Sequence, residues 1–506
     1  MPKNKIVTLE EIRAISIKLK KQGKVIAQCH GCFDLLHPGH IKHFEAAKRN
    51  SDVLVVTLTP DRFVNKGPGR PIFNEQIRAE TIAAIEAVDY VVINKWPTAV
   101  EVIGIVKPNL YIKGQDYKDK KADLTKGIYA EEDAVKKVGG KLFFTEEITF
   151  SSSNLINSNF SPYSPKVRDF LNGFKSKHSG TSVLNEIEKM GKLKVMIIGD
   201  TIIDEYHYCN PIGKSTKSPT VSTVYLRSEA YAGGVLAVAN HVQQLVAKVK
   251  LVTCLGAENL QTSVISEKLS KEVDAKFFKR ADGPTNTKRR YLDKYRDLKI
   301  FEVTYMNDRP INKKLETEVI SYLKKEIPKY DIVIVTDFGH GFITSNIIKC
   351  IETSAKYLAV NAQTNSNNYG YNYITKYKKA DYISIDEREL RLPFTDNYGE
   401  IDLLTKKLQK ITHAGKIQIT LGPDGTLWLE NGKFYKTPAF ATSIKDSVGA
   451  GDAVLSVTAL AAYLNTSPDI ASFIGNCMGS LAVEIIGNEH PVYKKDLTRF
   501  IQYFLK

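Results

Sequence analysis

Short apolar runs alternate with helix-patterned stretches twice along this chain, and that rhythm restricts its fold more than any other feature. Between residues 24 and about 156, VIAQCH, VLVVTL, YVVI and NLYIKG have the length and β-branched content of buried strands. Residues 39–48 and 75–87 carry the wider apolar spacing of helices. A strand apolar on both faces must be covered on both, and intervening helices supply the cover. The pattern predicts βα units around a parallel sheet. A second alternation starts at KVMIIGD, runs through LVTCLG, DIVIVTDFG, YLAVNA, DYISID and IQITLG, and ends in helices such as AGDAVLSVTALAAYL. Between the two lies a stretch rich in Ser, Pro, Lys and Asn. The expected fold class is therefore α/β, with a domain over 1–160, a linker over 161–193 and a second domain over 194–506.

Composition narrows the function classes. Apolar residues at 43% and charged residues at 25% fit a globular chain with real cores rather than a disordered one. No run approaches the ~20 apolar residues that span a bilayer. The opening MPKNKIVTLEEIRAISIKLK has no apolar block ahead of small residues, so a signal peptide is not expected. The expectation is a cytoplasmic protein with no membrane partner. A formal charge of +15 favours anionic partners. Lysines are scattered and no basic stripe interleaves with aromatics, which speaks against nucleic acid and leaves phosphorylated small molecules or a plain solvated Lys-rich surface. Cys29 and Cys32 form a CxxC, but no second pair stands at zinc-site spacing.

Two segments carry chemistry. In GCFDLLHPGHIKHFEAAKR, His37 and His40 bracket Pro38 and Gly39 between a strand and a helix. Both imidazoles can sit at one helix start, where free N–H groups and the dipole suit phosphate. There they can donate to phosphate oxygens as charge builds during attack at an α-phosphorus. A capping His beside a surface His also fits this spacing. In KDSVGAGDAVLSVTALAAYL, Gly449, Ala450 and Gly451 can present bare N–H groups to a phosphoryl group, and Asp452 can accept the proton of an attacking hydroxyl. A glycine turn with a capping Asp is the plainer alternative.

The first segment resembles the cytidylyltransferase-like nucleotidyltransferases, whose signature is this HxGH after a small-residue loop. NKGPGRP, Arg78 with EAVDYVV, IKGQDYK and ITFSSSNLI follow in the family's order, and the set is most similar to the ADP-heptose synthase branch. The resemblance implies that His37 and His40 stabilise the transition state and that Lys66 and Arg78 hold phosphates. It also implies that Gly31, Cys32 and Phe33 cradle the nucleotide. Lys113 and Asp116 would lie near base and substrate, and Ser151, Ser152 and Ser153 would bind the triphosphate at a helix start. The usual reaction needs Mg²⁺ and consumes a nucleoside triphosphate, ATP or CTP.

The second segment resembles the ribokinase-like (PfkB-type) carbohydrate kinases across nearly all of 194–506. MIIGDTIIDEYHY, the pair Gly233 and Gly234, DIVIVTDFGHG, ISIDERELR and ITLGPDG carry the likeness. It implies that Asp204 binds sugar hydroxyls and that Gly233 and Gly234 close over the sugar. Asp386 and Glu389 would be linked to magnesium and phosphate, and ATP would lie near Gly422 and Gly425. Gly449, Ala450 and Gly451 would form an anion hole beside the base Asp452. Three departures stand out: Ala237 where the family has a sugar-contacting Asn, Asp386 in place of Asn, and VNAQTN, with Gln363, where the heptose kinase branch ends its strand in Asp-Pro-Lys.

Bacterial ADP-heptose synthesis uses a fused kinase and nucleotidyltransferase of these two types, kinase first; here the order is reversed. The expected function is bifunctional. ATP phosphorylates a heptose-like sugar or sugar phosphate at its anomeric hydroxyl, and the front domain joins a sugar 1-phosphate to a nucleotide. The alternatives are a polyol or glycerol-type kinase fused to a CTP-dependent cytidylyltransferase, or a kinase-like half that only binds. Ribokinase-like domains often dimerise, so the resemblance implies a homo-oligomer.

Overall fold

The front half pairs its apolar runs side by side. In this computed structural model, which describes residues 2–64, 70–114, 127–145, 163–295 and 298–505, the chain forms two units, Met1–Pro162 and Tyr163–Lys506. In the first, β1 (Ile26–Gly31), β2 (Val53–Leu58), β3 (Tyr90–Ile93), β4 (Leu110–Gly114) and β5 (Lys141–Thr145) build a parallel sheet in the order β3-β2-β1-β4-β5. The order reverses at β1, so a crevice opens beyond its carboxyl end, where α/β sheets bind ligands. The helices Pro38–Arg49 and Glu75–Ala83 begin where sequence periodicity sets them, with His37 and Asn74 as N-caps.

The second unit is built on β6 (Lys194–Gly199), β9 (Lys248–Gly256), β10 (Asp274–Arg280), β13 (Ile332–Asp337), β14 (Leu358–Ala362), β15 (Tyr382–Asp386), β16 (Lys416–Thr420), β17 (Thr426–Glu430) and β18 (Lys433–Thr437). They form one sheet in the order β10-β9-β6-β13-β14-β15-β16-β17-β18, with only the last two strands antiparallel to their neighbours. A separate four-stranded sheet, β12-β11-β7-β8, joins β7 (Thr201–Lys214), β8 (Val221–Gly234), β11 (Thr287–Asp293) and β12 (Lys299–Tyr305).

The segment 161–193, read from composition as a linker, holds two helices, Pro165–Lys175 and Gly180–Met190, capped by Ser164 and Ser179. Val167, Leu171 and Phe174 recur on one face, and Val183, Leu184, Ile187 and Met190 on another. All enter the core of the second unit, where Phe174 stacks on Phe473 with centroids 4.3 Å apart. Serines and lysines dominate this segment because they occupy its outer faces. Among the described residues, no helix is long and apolar enough to cross a membrane.

Candidate active sites

In the first unit, β1 ends at Gly31 and the chain loops into the helix Pro38–Arg49. His37 caps that helix through Nδ1, which accepts the Gly39 N–H at 3.1 Å. An accepting Nδ1 leaves the neutral ring's proton on Nε2. Burial draws the His37 pKa below its ordinary value, so the ring is a neutral donor at pH 7. His40 stacks on His37 with ring centroids 3.9 Å apart, and Phe33 meets His40 edge-on at 5.4 Å. The two histidines thus share one spot at the helix start.

Arg78 occupies a different place from the one expected of a phosphate ligand. Its side chain is 1% exposed and donates to the carbonyls of Phe73 (2.9 Å), Thr59 (3.0 Å) and Cys32, to the Cys32 sulfur, and to Asp61 (2.5 Å). All five N–H groups are consumed inside the protein, and the effect is to brace the Gly31, Cys32, Phe33 loop from behind. Arg70 contrasts with it: Nε pairs with Asp34, while both Nη groups are buried without a hydrogen-bond partner among the described residues. The motif NKGPGRP displayed this residue, but nothing in the sequence distinguished its guanidinium from that of Arg78. Lys113, at the end of β4, pairs with Glu131 at 2.8 Å. Lys66, Asp116, Ser151, Ser152 and Ser153 lie outside the described residues. Cys32 is buried in the loop, and burial pushes the Cys29 thiol up to about 12, far from a reactive thiolate.

In the second unit, Gly422, Gly425, Asp386, Glu389, Gly449, Ala450, Gly451 and Asp452 all line one cavity of about 530 Å³. It lies at the carboxyl ends of β14, β15 and β16. Gly449 adopts φ 82°, and a Cβ there would come within 2.3 Å of Asn488 Oδ1, so only glycine fits. The turn delivers the chain into the helix Ala450–Tyr463, whose start lines the cavity and whose first turn carries Asp452; the Ala450 N–H, expected to be bare, donates to the Ser447 carbonyl at 3.3 Å. Asp446, at the head of the same motif, anchors the turn: it accepts from Tyr206 Oη at 2.6 Å, Lys299 Nζ at 2.7 Å and the Val448 N–H at 3.1 Å. Sequence reasoning missed that anchor, whose partners are far away in the chain.

Asp452 is 6% exposed. Burial pushes its carboxyl up to about 7, with Asp204 adding to the rise and Gln363 and Lys288 opposing it. Gln363 Nε2 donates to Asp452 Oδ1 at 2.6 Å. Asp386 and Glu389 form a capping box, each side chain accepting the other's N–H at 2.8 Å. Glu389 also accepts the Thr364 N–H at 2.9 Å, and burial beside Asp386 pushes its carboxyl up to about 8. Among the described residues, no cluster of three or more ligating side chains could hold a metal by itself.

Asp204, on β7, pairs with Arg290 of β11, which also reaches Glu302 at 2.8 Å. Gly233 makes room for this carboxylate, since a Cβ would lie 2.1 Å from Asp204 Oδ2. Gly234 follows with φ 56° and opens the helix Val235–Gln243, which buries Ala237. Arg290 and the buried Lys288 belong to no motif recognised in the sequence.

Comparison with known proteins gives two family matches. The model described as pfkB family carbohydrate kinase matches residues 192–494, and that described as cytidylyltransferase-like matches residues 29–158. The bifunctional protein HldE of Aliarcobacter butzleri is 44% identical over 138 residues, 27% of this chain and 29% of that protein. HldE of Nitratiruptor sp. is 46% identical over 128 residues, 24% and 28% of the respective chains. The matched part lies in the amino-terminal domain and spans less than a third of either relative's length. Among solved structures, a mutant of phosphofructokinase-2 from Escherichia coli aligns with a TM-score of 0.50 at 13% identity, covering 62% of this chain and 100% of that one. That is a likeness of fold alone.

Proposed function

This chain belongs to the pfkB family of carbohydrate kinases, and we propose that it is a bifunctional transferase of sugar-nucleotide synthesis. The second unit would use ATP to phosphorylate a heptose-like sugar or sugar phosphate at its anomeric hydroxyl. The first would couple a sugar 1-phosphate to a nucleoside triphosphate. The observation that carries the reading is Asp452, a buried carboxylate in the first turn of a helix whose start lines the same cavity.

In the kinase reaction the acceptor hydroxyl gives its proton to Asp452 while its oxygen bonds the γ-phosphorus. The bond to the bridging oxygen breaks and ADP leaves. The N–H of Gly451 meets the charge on the transferring phosphoryl oxygens, while that of Ala450 stays on the Ser447 carbonyl at 3.3 Å. Magnesium bound to the triphosphate would supply charge neutralisation. Asp386, exposed at the cavity rim, would help hold that ion, as one or two carboxylates do in magnesium sites.

In the first unit the sugar phosphate oxygen attacks the α-phosphorus and pyrophosphate departs. His37, carrying its proton on Nε2, and His40 donate to the oxygens that gain charge. Arg70, with its Nη groups uncommitted among the described residues, takes the phosphate-holding role that Arg78 has no N–H left to fill. Arg78→Met should therefore cost about 3–5 kcal/mol of stability, read as a lower melting temperature of the first unit. Arg70→Lys retains a cation for Asp34 but loses the planar fork, so triphosphate affinity by calorimetry should fall about tenfold with melting nearly unchanged. Full triphosphate affinity in the Lys variant would return the phosphates to another group.

The heptose-like substrate and the nucleotide leave room for a direct test. Mass spectrometry would follow candidate sugars and sugar phosphates with ATP, then sugar 1-phosphates with each nucleoside triphosphate. The reading expects one phosphorylated sugar and one ADP-sugar. Consumption of CTP with a polyol phosphate would replace it with the glycerol-type reading, and no phosphorylated product would reduce the second unit to a binding module.

A further inference from the structure

Gln363 follows β14 directly, and its backbone is held from three sides. Its N–H donates to the Asp337 carbonyl at 2.8 Å, and its carbonyl accepts from Asn368 Nδ2 at 3.2 Å and Asn372 Nδ2 at 3.0 Å. Both asparagines are buried, and each also donates to the chain just after or at the end of β13, at Phe338 and Asp337. The main chain at 363 is thus clamped between two strand ends. Only the side chain is left to choose a direction, and it carries its amide to Asp452 Oδ1 at 2.6 Å.

Among the described residues, no other group hydrogen-bonds to the Asp452 carboxylate. A carboxylate is free to turn about its last bond, and a bond to one oxygen fixes where the other points. An amide does this without adding charge beside an incoming triphosphate. The same strand end reaches the capping box, because Thr364 donates to Glu389 Oε1 at 2.9 Å. The family's resemblance gave this position no role beyond a departure from pattern.

We propose that Gln363 is a positioning residue of the phosphoryl-transfer site, holding Oδ1 of Asp452 so that Oδ2 is presented to the acceptor hydroxyl. The proposal rests on the reading of Asp452 as the kinase base. The charged and titratable groups around Asp452 come from three other elements: Asp204 on β7, Lys288 on β11 and Glu389 after β15. Gln363 opposes the rise that burial imposes on Asp452, so losing its amide should move the carboxyl's titration to higher pH.

The experiment compares the full chain with Gln363→Met, which keeps length without a donor, and Gln363→Lys, which keeps a donor. Carbon NMR of aspartate-labelled protein follows the Asp452 carboxyl, assigned by its disappearance in Asp452→Asn. Its midpoint should rise by about one pH unit in the Met variant and fall below the native value in the Lys variant. The acid limb of the kinase pH profile should move with it. In the Met variant kcat should drop about ten- to a hundredfold with KM for ATP within about threefold. An unmoved midpoint in Gln363→Met, or equal changes in both variants, overturns the proposal. If the native chain phosphorylates no acceptor, the kinase reading fails by itself, and the carboxyl titration still decides whether Gln363 governs Asp452.

Discussion

Asp452→Asn should reduce phosphoryl transfer by about 10²- to 10⁴-fold, the range of a lost general base, and yet make the protein more heat-resistant above pH 7. The activity loss follows because Asn cannot take the acceptor's proton. The gain in stability follows from burial. Burial raises the folded-state pKa of Asp452 to about 7, well above the ordinary carboxylate range. The folded chain therefore binds this proton more tightly than the unfolded chain. Stability falls as pH climbs from about 4 through about 7, and stays at its lower value beyond. At about 1.4 kcal/mol per pH unit, the ionised carboxylate costs up to ~4 kcal/mol. Asn is neutral at every pH and keeps an oxygen for the Gln363 amide. Melting curves of the two proteins should coincide near pH 4 and separate by several degrees at pH 8, the variant higher. Native kcat/KM should rise with pH through about 7 as the base ionises. A variant that melts lower at pH 8, or that transfers phosphate at the native rate, refutes this account of Asp452.

The second large effect belongs to the histidines. His37→Ala and His40→Ala should each lower nucleotidyl transfer by about 10²- to 10³-fold, as expected when one donor to a charged transition state is removed. The double variant should lose less than the product of the two, because the rings are stacked and act on one site. His37 also caps its helix, so His37→Ala mixes catalysis with about 1 kcal/mol of stability. Asn at 37 separates them: it is a good cap and a poor substitute for an imidazole. His37→Asn should melt like the native chain and still transfer nucleotide slowly. Native turnover in that variant would leave His37 as a cap alone.

What could be read beforehand followed one physical rule. Parallel strands buried on both faces, such as VLVVTL and DIVIVTD, print as continuous apolar runs, and they stand where those runs are. The four-stranded sheet obeys another rule. β8 is exposed or half-buried over all but its last four residues, and β12 is exposed or half-buried throughout, so neither prints as a long buried run. The segment 161–193 read as a linker and not as core-packing helices because a thin apolar stripe is outvoted by the serines and lysines around it. At the sites, glycines and acids within a single motif were legible, since a helix start needs them locally. Long-range partners were not. Arg78 is enclosed by groups up to 46 residues away, Asp446 is held by Tyr206 240 residues away, and Gln363 finds Asp452 89 residues away. Local pattern carries no record of such meetings.

Phosphorus NMR of a single mixture holding the sugar acceptor, magnesium and nucleoside triphosphates tests the central claim most directly. Native protein, Asp452→Asn and the His37→Asn, His40→Ala double variant would be compared side by side. The expected outcome is that Asp452→Asn, given added sugar 1-phosphate, still releases pyrophosphate from the nucleoside triphosphate but forms no new sugar phosphate, and that the histidine variant does the reverse. Loss of both reactions in either variant, or neither reaction in the native chain, would contradict two independent phosphate-handling pockets on one polypeptide.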